Sequence, residues 1–368
     1  MRILHVVGAR PNFMKIAPLM SALDGAPGVE QVLVHTGQHY DARMSDAFFH
    51  DLGIRAPDVN LEVGSGTHAV QTARVMLAFE PVLERTAPDL VVVVGDVNST
   101  VACALVAAKR NVAVAHVEAG LRSRDRTMPE ELNRLVTDQL AELLLTPSRD
   151  ADANLRAEGI PEERIHFVGN VMIDTLLRQR DAARALGMPA RLGVEPGGYL
   201  LVTLHRPGNV DDPATLGGIF AALSRLATER PVLFPIHPRT RARAAEHGLL
   251  DGLGGVRLLE PLGYPEMLGL MERAALVLTD SGGLQEETTA LGVPCLTLRD
   301  STERPVTVDE GTNLLVPDRS APRILAAVAA AGARRGRVPE LWDGRAGERC
   351  AGVFLRWHAE RGVPAGAA

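Results

Sequence analysis

The chain has 368 residues, two or three domain lengths at ~100–200 residues each, and its 46% hydrophobic and 23% charged residues describe a globular protein with ample core. With 39 Lys+Arg against 45 Asp+Glu the net charge is −6, which excludes the electrostatic footprint of a nucleic-acid or anionic-membrane binder. Cys103, Cys295 and Cys350 are scattered, odd in number and without CxxC spacing, no run reaches the ~18 apolar residues of a membrane span, and the opening apolar run is too short for a signal peptide; a reduced, cytoplasmic protein is the expectation.

In chain order, short apolar runs at 3–7, 31–35, 90–95, 112–117 and 142–146 alternate with amphipathic, helix-like stretches, and a second series follows at 199–204, 232–236, 256–259, 275–279 and 294–298. This is the pattern of parallel βα units. Runs such as Leu90-Val91-Val92-Val93-Val94 are apolar without alternation, as strands covered on both faces are. A polar, Arg/Ala-rich stretch at 176–198 closes in Glu195-Pro196-Gly197-Gly198 and reads as a linker. The expected fold is therefore α/β, with two doubly wound Rossmann-like domains, 1–175 and 198–340, an interdomain cleft, and a segment 341–368 packing back across the linker.

The first strand leads into Gly8-Ala9-Arg10-Pro11-Asn12-Phe13-Met14-Lys15, a glycine turn entering a helix with proline in its first turn. Backbone N–H groups with Arg10 and Lys15 suit an anion there; a plain helix cap with two solvated cations is the competing reading. Lys15 is one of two lysines in the chain. Gly64-Ser65-Gly66-Thr67-His68-Ala69 matches a dinucleotide fingerprint but does not follow the first strand, so it is read as a decoy. Asp96, Glu118 and Glu130 each fall at or just after a strand end, where converging carboxylates suit proton transfer. The structural alternative pairs Glu130 with Arg134 and makes Asp96 a helix cap.

In the second series His205-Arg206 ends one strand and His237 the next, placing imidazoles where they can donate to phosphate or move a proton. Thr279-Asp280-Ser281-Gly282-Gly283-Leu284-Gln285-Glu286-Glu287 is a strand end, a Gly-Gly turn and an acidic helix start. Its N–H groups suit a diphosphate, and a carboxylate one turn on suits a ribose diol. Acids in a first helical turn are also stabilising by themselves, by about 0.3–1 kcal/mol.

The ordered set GARPNFMK at 8–15, GQH at 37–39, GD at 95–96, HVEAGLRS at 116–123, PEELNR at 129–134, HR at 205–206, DSGGLQEE at 280–287 and RDSTERP at 299–305 resembles the non-hydrolysing UDP-N-acetylglucosamine 2-epimerases. The resemblance implies a glycosyltransferase-B-like fold, a homodimer, and interconversion of UDP-GlcNAc and UDP-ManNAc with no metal, nicotinamide or other cofactor. It assigns chemistry to Asp96, Glu118, Glu130 and His205, the phosphates and sugar to Arg10, Lys15 and Arg304, and UDP to Ser281, Gly282, Gly283 and Glu287 with Leu262 and Met267 beside the base. In some relatives a second UDP-GlcNAc activates the enzyme, and Gln38, Glu130, Arg206 and His237 match positions used there. Departures are Pro207, where many relatives have a second arginine, and Asp41, where they have glutamine or glutamate.

The implied chemistry answers a real difficulty. The C2 hydrogen of the sugar is not acidic, and breaking the C1–O bond creates cationic character that acidifies it. Elimination of UDP to a 2-acetamidoglucal, then re-protonation from the other face, would follow. Alternatives on the same fold are a hydrolysing 2-epimerase releasing ManNAc and UDP, and a glycosyltransferase acting on a separate acceptor.

Overall fold

A computed structural model describes residues 1–37, 53–332, 334 and 336–362. The chain divides into two compact units, Met1–Thr175 with Glu340–Ala368, and Leu176–Pro339.

In the first unit β1 (Arg2–Val7), α1 (Arg10–Leu23), β2 (Glu30–His35), β3 (Val59–Asn60), α2 (His68–Thr86), β4 (Leu90–Val94), α3 (Asn98–Lys109), β5 (Ala113–Val117), α4 (Pro129–Leu140), β6 (Leu143–Thr146), α5 (Arg149–Ala157) and β7 (Ile165–Phe167) follow one another. They build a parallel seven-stranded sheet in the order β3-β2-β1-β4-β5-β6-β7. All five residues of β4 are buried, because it lies mid-sheet; Val91 and Val93 pack with Phe79, Val82 and Leu83 of α2. The winding reverses between β1 and β4, and in such sheets the crevice for ligands opens beyond the strand ends at this switch point. Gly8 at the end of β1 sits so close to α3 that a Cβ would lie 2.3 Å from Ser99 Oγ.

The division between units falls within α6 (Val171–Ala185). The second unit continues with α7 (Met188–Arg191), β8 (Leu200–Thr203), α8 (Pro207–Val210), α9 (Pro213–Ala227), β9 (Val232–Pro235), α10 (Pro238–Glu246), β10 (Val256–Leu259), α11 (Tyr264–Met271), β11 (Leu276–Thr279), α12 (Gly282–Leu291), β12 (Cys295–Thr297), α13 (Val306–Asp309), β13 (Asn313–Leu315) and α14 (Ala321–Ala331). Its six-stranded sheet runs β10-β9-β8-β11-β12-β13, the same winding with a switch point between β8 and β11. The stretch 176–198, expected as a linker, is largely helical and built into this unit: Leu176, Ala183, Met188 and Val194 join a core cluster with Leu201 and Val277. Its sparse apolar residues suffice because they share one buried face.

The last helix, α15 (Ala346–Gly362), belongs to the first unit and packs on α1. Asp174 accepts hydrogen bonds from the N–H groups of Ala346 (3.1 Å) and Gly347 (2.7 Å), satisfying the start of that helix. Trp342 Nε1 donates to the Pro147 carbonyl at 2.9 Å. No described helix is long and apolar enough to cross a membrane.

Every strand expected from the sequence is present. The additional β3, β7 and β13 are sheet edges of two or three residues each.

Candidate active site

Beyond the switch point of the first sheet Lys15 pairs with Glu118, and Asp96 follows Gly95, whose peptide adjoins that pair. Lys15, from the second turn of α1, and Glu118, at the end of β5, form a buried ion pair. Gly95 follows β4 with φ +68, and a Cβ there would lie 3.0 Å from Lys15 Nζ and 3.6 Å from Glu118 Oε2. Glycine thus supplies both the left-handed turn and the room for the two charges. Glu118 itself has φ +72. A left-handed conformation at a non-glycine residue costs roughly 1–2 kcal/mol, and such strain gathers at functional positions.

Asp96 accepts from Arg134 Nη1 at 2.5 Å, and its carbonyl accepts from Asn133 Nδ2 at 2.9 Å. It is not the cap of α3, whose N-cap position is Val97. Arg134 is fully buried and binds Glu131 Oε2 at 2.6 Å, so the expected Glu130–Arg134 pairing is replaced by one with the neighbouring acid and with Asp96. Glu131 also accepts from the N–H groups of Ser123 and Arg124, both at 2.9 Å. Burial works against its charge, but Arg134 and these donors hold its carboxyl below the usual range. Glu130 lies half-buried in the first turn of α4.

The turn after β1 is partly self-satisfied. Asn12 Oδ1 accepts from the N–H groups of Gly8 (3.1 Å) and Ala9 (2.9 Å), and its Nδ2 donates to the Val94 carbonyl at 3.0 Å. Asn12 therefore ties the ends of β1 and β4 together and occupies two N–H groups expected to meet an anion. The side chain of Arg10, and Gln38 and Asp41, lie outside the described residues.

In the second unit, His205 follows β8 and its Nδ1 lies 2.8 Å from Asp280 Oδ1. Asp280, at the end of β11, is fully buried and accepts from the N–H groups of His205 (3.0 Å) and Arg206 (2.9 Å) and from Asn209 Nδ2 (3.1 Å). Burial opposes its charge, yet His205 and the N–H donors hold it below the usual carboxylate range. With Nδ1 committed to the carboxylate, the half-exposed ring presents Nε2 outward. His237 is exposed at the N-cap of α10. Its imidazole is shifted down by burial and by the neighbouring His205 and Arg239. Arg206 is half-buried at the N-cap of α8.

The helix α12 starts at Gly282 with Ser281 as N-cap, and the Ser281 N–H donates to Thr279 Oγ1 at 3.0 Å. A Cβ on Gly282 would fall 2.9 Å from both Arg304 Nη1 and Glu303 Oε1, so this glycine lets a guanidinium come flush against a helix N-terminus. Arg304 Nε lies 2.9 Å from Glu286 Oε1, its Nη1 pairs with Glu303, and Arg299 binds the other Glu303 oxygen at 2.8 Å. One turn into α12, Glu287 accepts from Tyr264 Oη at 2.8 Å. Burial pushes its carboxyl up to about 7, against the lowering by the Tyr264 hydrogen bond and with a further push from Glu286. Leu262 and Met267 are half-buried and pack on the same cluster as Tyr264 and Leu284. Gly283 follows in the first turn of α12.

Chemically, the first unit offers carboxylates paired with cations. The second offers a helix start beside a guanidinium, an oriented imidazole and a buried acid. Among the described residues no group of three or more His, Cys, Asp or Glu is arranged for a metal ion.

The profile of the UDP-N-acetylglucosamine 2-epimerase family matches residues 21–355. The chain belongs to this family. It is 42% identical over 357 residues, 95% of this chain and 97% of the other, to the UDP-N-acetylglucosamine 2-epimerase of Methanocaldococcus jannaschii. It is 44% identical over 324 residues, 86% of this chain and 88% of the other, to a UDP-2,3-diacetamido-2,3-dideoxy-D-glucuronate 2-epimerase of Pseudomonas aeruginosa. The crystal structure of the M. jannaschii enzyme in complex with UDP-GlcNAc and UDP superposes with a TM-score of 0.88 at 40% identity, covering 97% of this chain and 100% of that one. The Neisseria meningitidis epimerase bound to UDP-GlcNAc gives a TM-score of 0.87 at 29% identity, covering the same shares. The α/β architecture with two parallel sheets is thus the glycosyltransferase-B-like fold of the 2-epimerases.

In this family setting, Asp280, Arg134 and Glu131 are the residues a sequence reading leaves out. Asp280 sits inside the DSGG motif, where its position at a strand end was the available signal.

Proposed function

We propose that the chain epimerises UDP-GlcNAc and UDP-ManNAc at C2, reversibly and without hydrolysis. Family membership, the Lys15–Glu118 pair and the Arg134-bound Asp96 at the next strand end carry this reading. The second unit grips UDP: the start of α12 and Arg304 take the diphosphate, and Glu287 takes the ribose diol. Leu262 and Met267 serve the base, and Arg10 and Lys15, by the family resemblance, serve the sugar and phosphates.

A carboxylate removes the C2 proton as the C1–O bond breaks. The bonding pair leaves with the UDP β-phosphate oxygen, and a C1–C2 double bond forms. Cationic groups, His205 and Arg304 among them, stabilise the departing diphosphate, a role often worth ~3–4 kcal/mol per donor. A carboxylic acid on the other face then returns a proton to C2 while UDP re-adds at C1. Asp96, Glu118 and Glu130 supply the base and the acid. The enzyme works as a cytoplasmic homodimer, and Gln38, Arg206 and His237 with Glu130 receive a second, activating UDP-GlcNAc.

Incubating the protein with UDP-GlcNAc in D2O, without added metal or NAD, tests the reaction. Deuterium at C2 with UDP-ManNAc accumulating is expected, and unexchanged substrate overturns the proposal. Net release of free ManNAc would mark a hydrolysing enzyme, and UDP release only with an added acceptor a glycosyltransferase. The P. aeruginosa relative favours a second reading, the same reaction on a UDP-sugar bearing a 3-acetamido group and a C6 carboxylate. Comparing kcat/KM for the two substrates decides between them.

A further inference from the structure

Beneath the carboxylates of the first unit lies a buried polar chain that the mechanism above does not use. His116, on β5, is fully buried; its Nε2 is 2.8 Å from the Gly95 carbonyl and its Nδ1 is 2.6 Å from Asp138 Oδ1. A carbonyl oxygen only accepts, so Nε2 must carry a hydrogen. The short Nδ1–Oδ1 contact needs a hydrogen as well. The pair therefore holds one proton more than a neutral imidazole and a carboxylate possess.

The surroundings place that proton on the imidazole rather than on the carboxylate. Asp138, fully buried on α4, accepts with Oδ2 from the Gly120 N–H at 3.1 Å and lies 2.7 Å from Arg122 Nη1. Arg122 in turn forks onto Glu158, at 2.7 and 2.6 Å, and donates to the Leu121 carbonyl. Burial works against the Asp138 charge, but His116 and Arg122 hold its carboxyl below the usual range, which fits an imidazolium beside a carboxylate. The carboxylate on the imidazole is Asp138 from α4, with Arg122 and Glu158 behind it, and the Gly95 peptide on the other side of the ring adjoins Lys15 from α1 and Glu118 from the end of β5.

The two ends of this chain are informative. Gly95 immediately precedes Asp96, and Gly120 comes two residues after Glu118. We propose that His116 and Asp138 form a proton-holding clamp that fixes the Gly95 and Gly120 peptides and so positions the Asp96 and Glu118 carboxylates. Both are positioning residues: neither needs to touch substrate. The inference rests on the 2-epimerase reading for what the positioning serves, but the extra proton can be observed without any turnover.

The test uses the full-length protein labelled with 15N in its histidine rings, with His116→Asn, His116→Gln and Asp138→Asn variants. In the wild type both His116 nitrogens give the shift of protonated nitrogen at neutral pH, and Asp138→Asn converts Nδ1 to an unprotonated one. A His116 ring with one bare nitrogen in the wild type overturns the clamp, whether or not the protein turns over UDP-GlcNAc. In the C2-exchange assay, His116→Asn lowers kcat by roughly 100-fold, the scale of small misplacements of reacting groups, with KM and UDP affinity held within a few-fold. His116→Gln, which keeps an N–H within reach of Gly95, recovers part of the loss. A folded His116→Asn protein with wild-type kcat overturns the positioning role. Absence of C2 exchange in the wild type would instead overturn the 2-epimerase reading and leave the proton count to the spectra.

Discussion

The Lys15 ammonium and the Glu118 carboxylate meet inside the first unit, with the Gly95 peptide seated against both. Neither charge has much access to water, and the backbone of Glu118 is left-handed where it meets Lys15. Replacing Lys15 by methionine leaves the volume but removes the positive charge. Breaking a buried pair from one side costs about 3–5 kcal/mol, so the melting temperature falls by several degrees. C2 exchange drops by at least about 100-fold. A Lys15→Met protein that exchanges at the wild-type rate would remove this pair from the mechanism.

Gly282→Ala tests the grip on the diphosphate. The new methyl would lie 2.9 Å from the Arg304 guanidinium, which must withdraw from the start of α12. UDP is expected to bind about tenfold more weakly or worse by calorimetry, a loss of ~1.4 kcal/mol. Gly252→Ala serves as the control, since nothing lies within 4 Å of a Cβ there.

Glu287 predicts a pH dependence. Its carboxyl is raised from 4.5 to about 7 in the folded protein, so between these values the folded state binds more protons than the unfolded one. Its contribution to stability is therefore fully present below about 4.5 and is lost as the pH rises toward 7. Glu287→Gln flattens that part of the stability–pH curve. A ribose diol donating two hydrogen bonds favours the ionised carboxylate, so UDP binding near pH 6 releases a proton and weakens as the pH falls. Calorimetry in buffers of different ionisation enthalpy reads that proton directly; no proton release would argue against a diol at Glu287.

Asp280→Asn separates orientation from charge. The amide can still accept from one or two of the N–H groups of His205 and Arg206, but it no longer supports the imidazole as a carboxylate does. We expect kcat to fall about 10–100-fold with the fold retained, by analogy with other carboxylate-supported histidines. An unchanged kcat would make the contact structural.

The central strands were legible because burial on both faces writes itself as unbroken valine and leucine, as in β4. The edges were not. Ile165-His166-Phe167 and Asn313-Leu314-Leu315 pair on one side only and mix apolar with polar residues, which gives a reader no periodicity to count. The same contrast holds at the site. Residues at strand ends, such as Asp96, Glu118 and His205, announce themselves by position. Which of the adjacent Glu130 and Glu131 turns inward depends on helix phase, about 100° per residue, and on a partner, Arg134, that also reaches back to Asp96. Asp280 and the His116–Asp138 chain depend on partners brought close only by folding.

The return of α15 to the first unit bears on how the polypeptide can be bisected. A piece ending after α6 lacks the helix whose first amides Asp174 holds and whose side packs on α1, so it would expose that apolar flank. The complementary piece would carry α15 as an orphaned extension. Reassembly of halves therefore requires the tail to be supplied to the front fragment, and a rearranged gene that joins residue 362 to residue 1 through a designed bridge is the arrangement in which one contiguous stretch encodes the whole first unit.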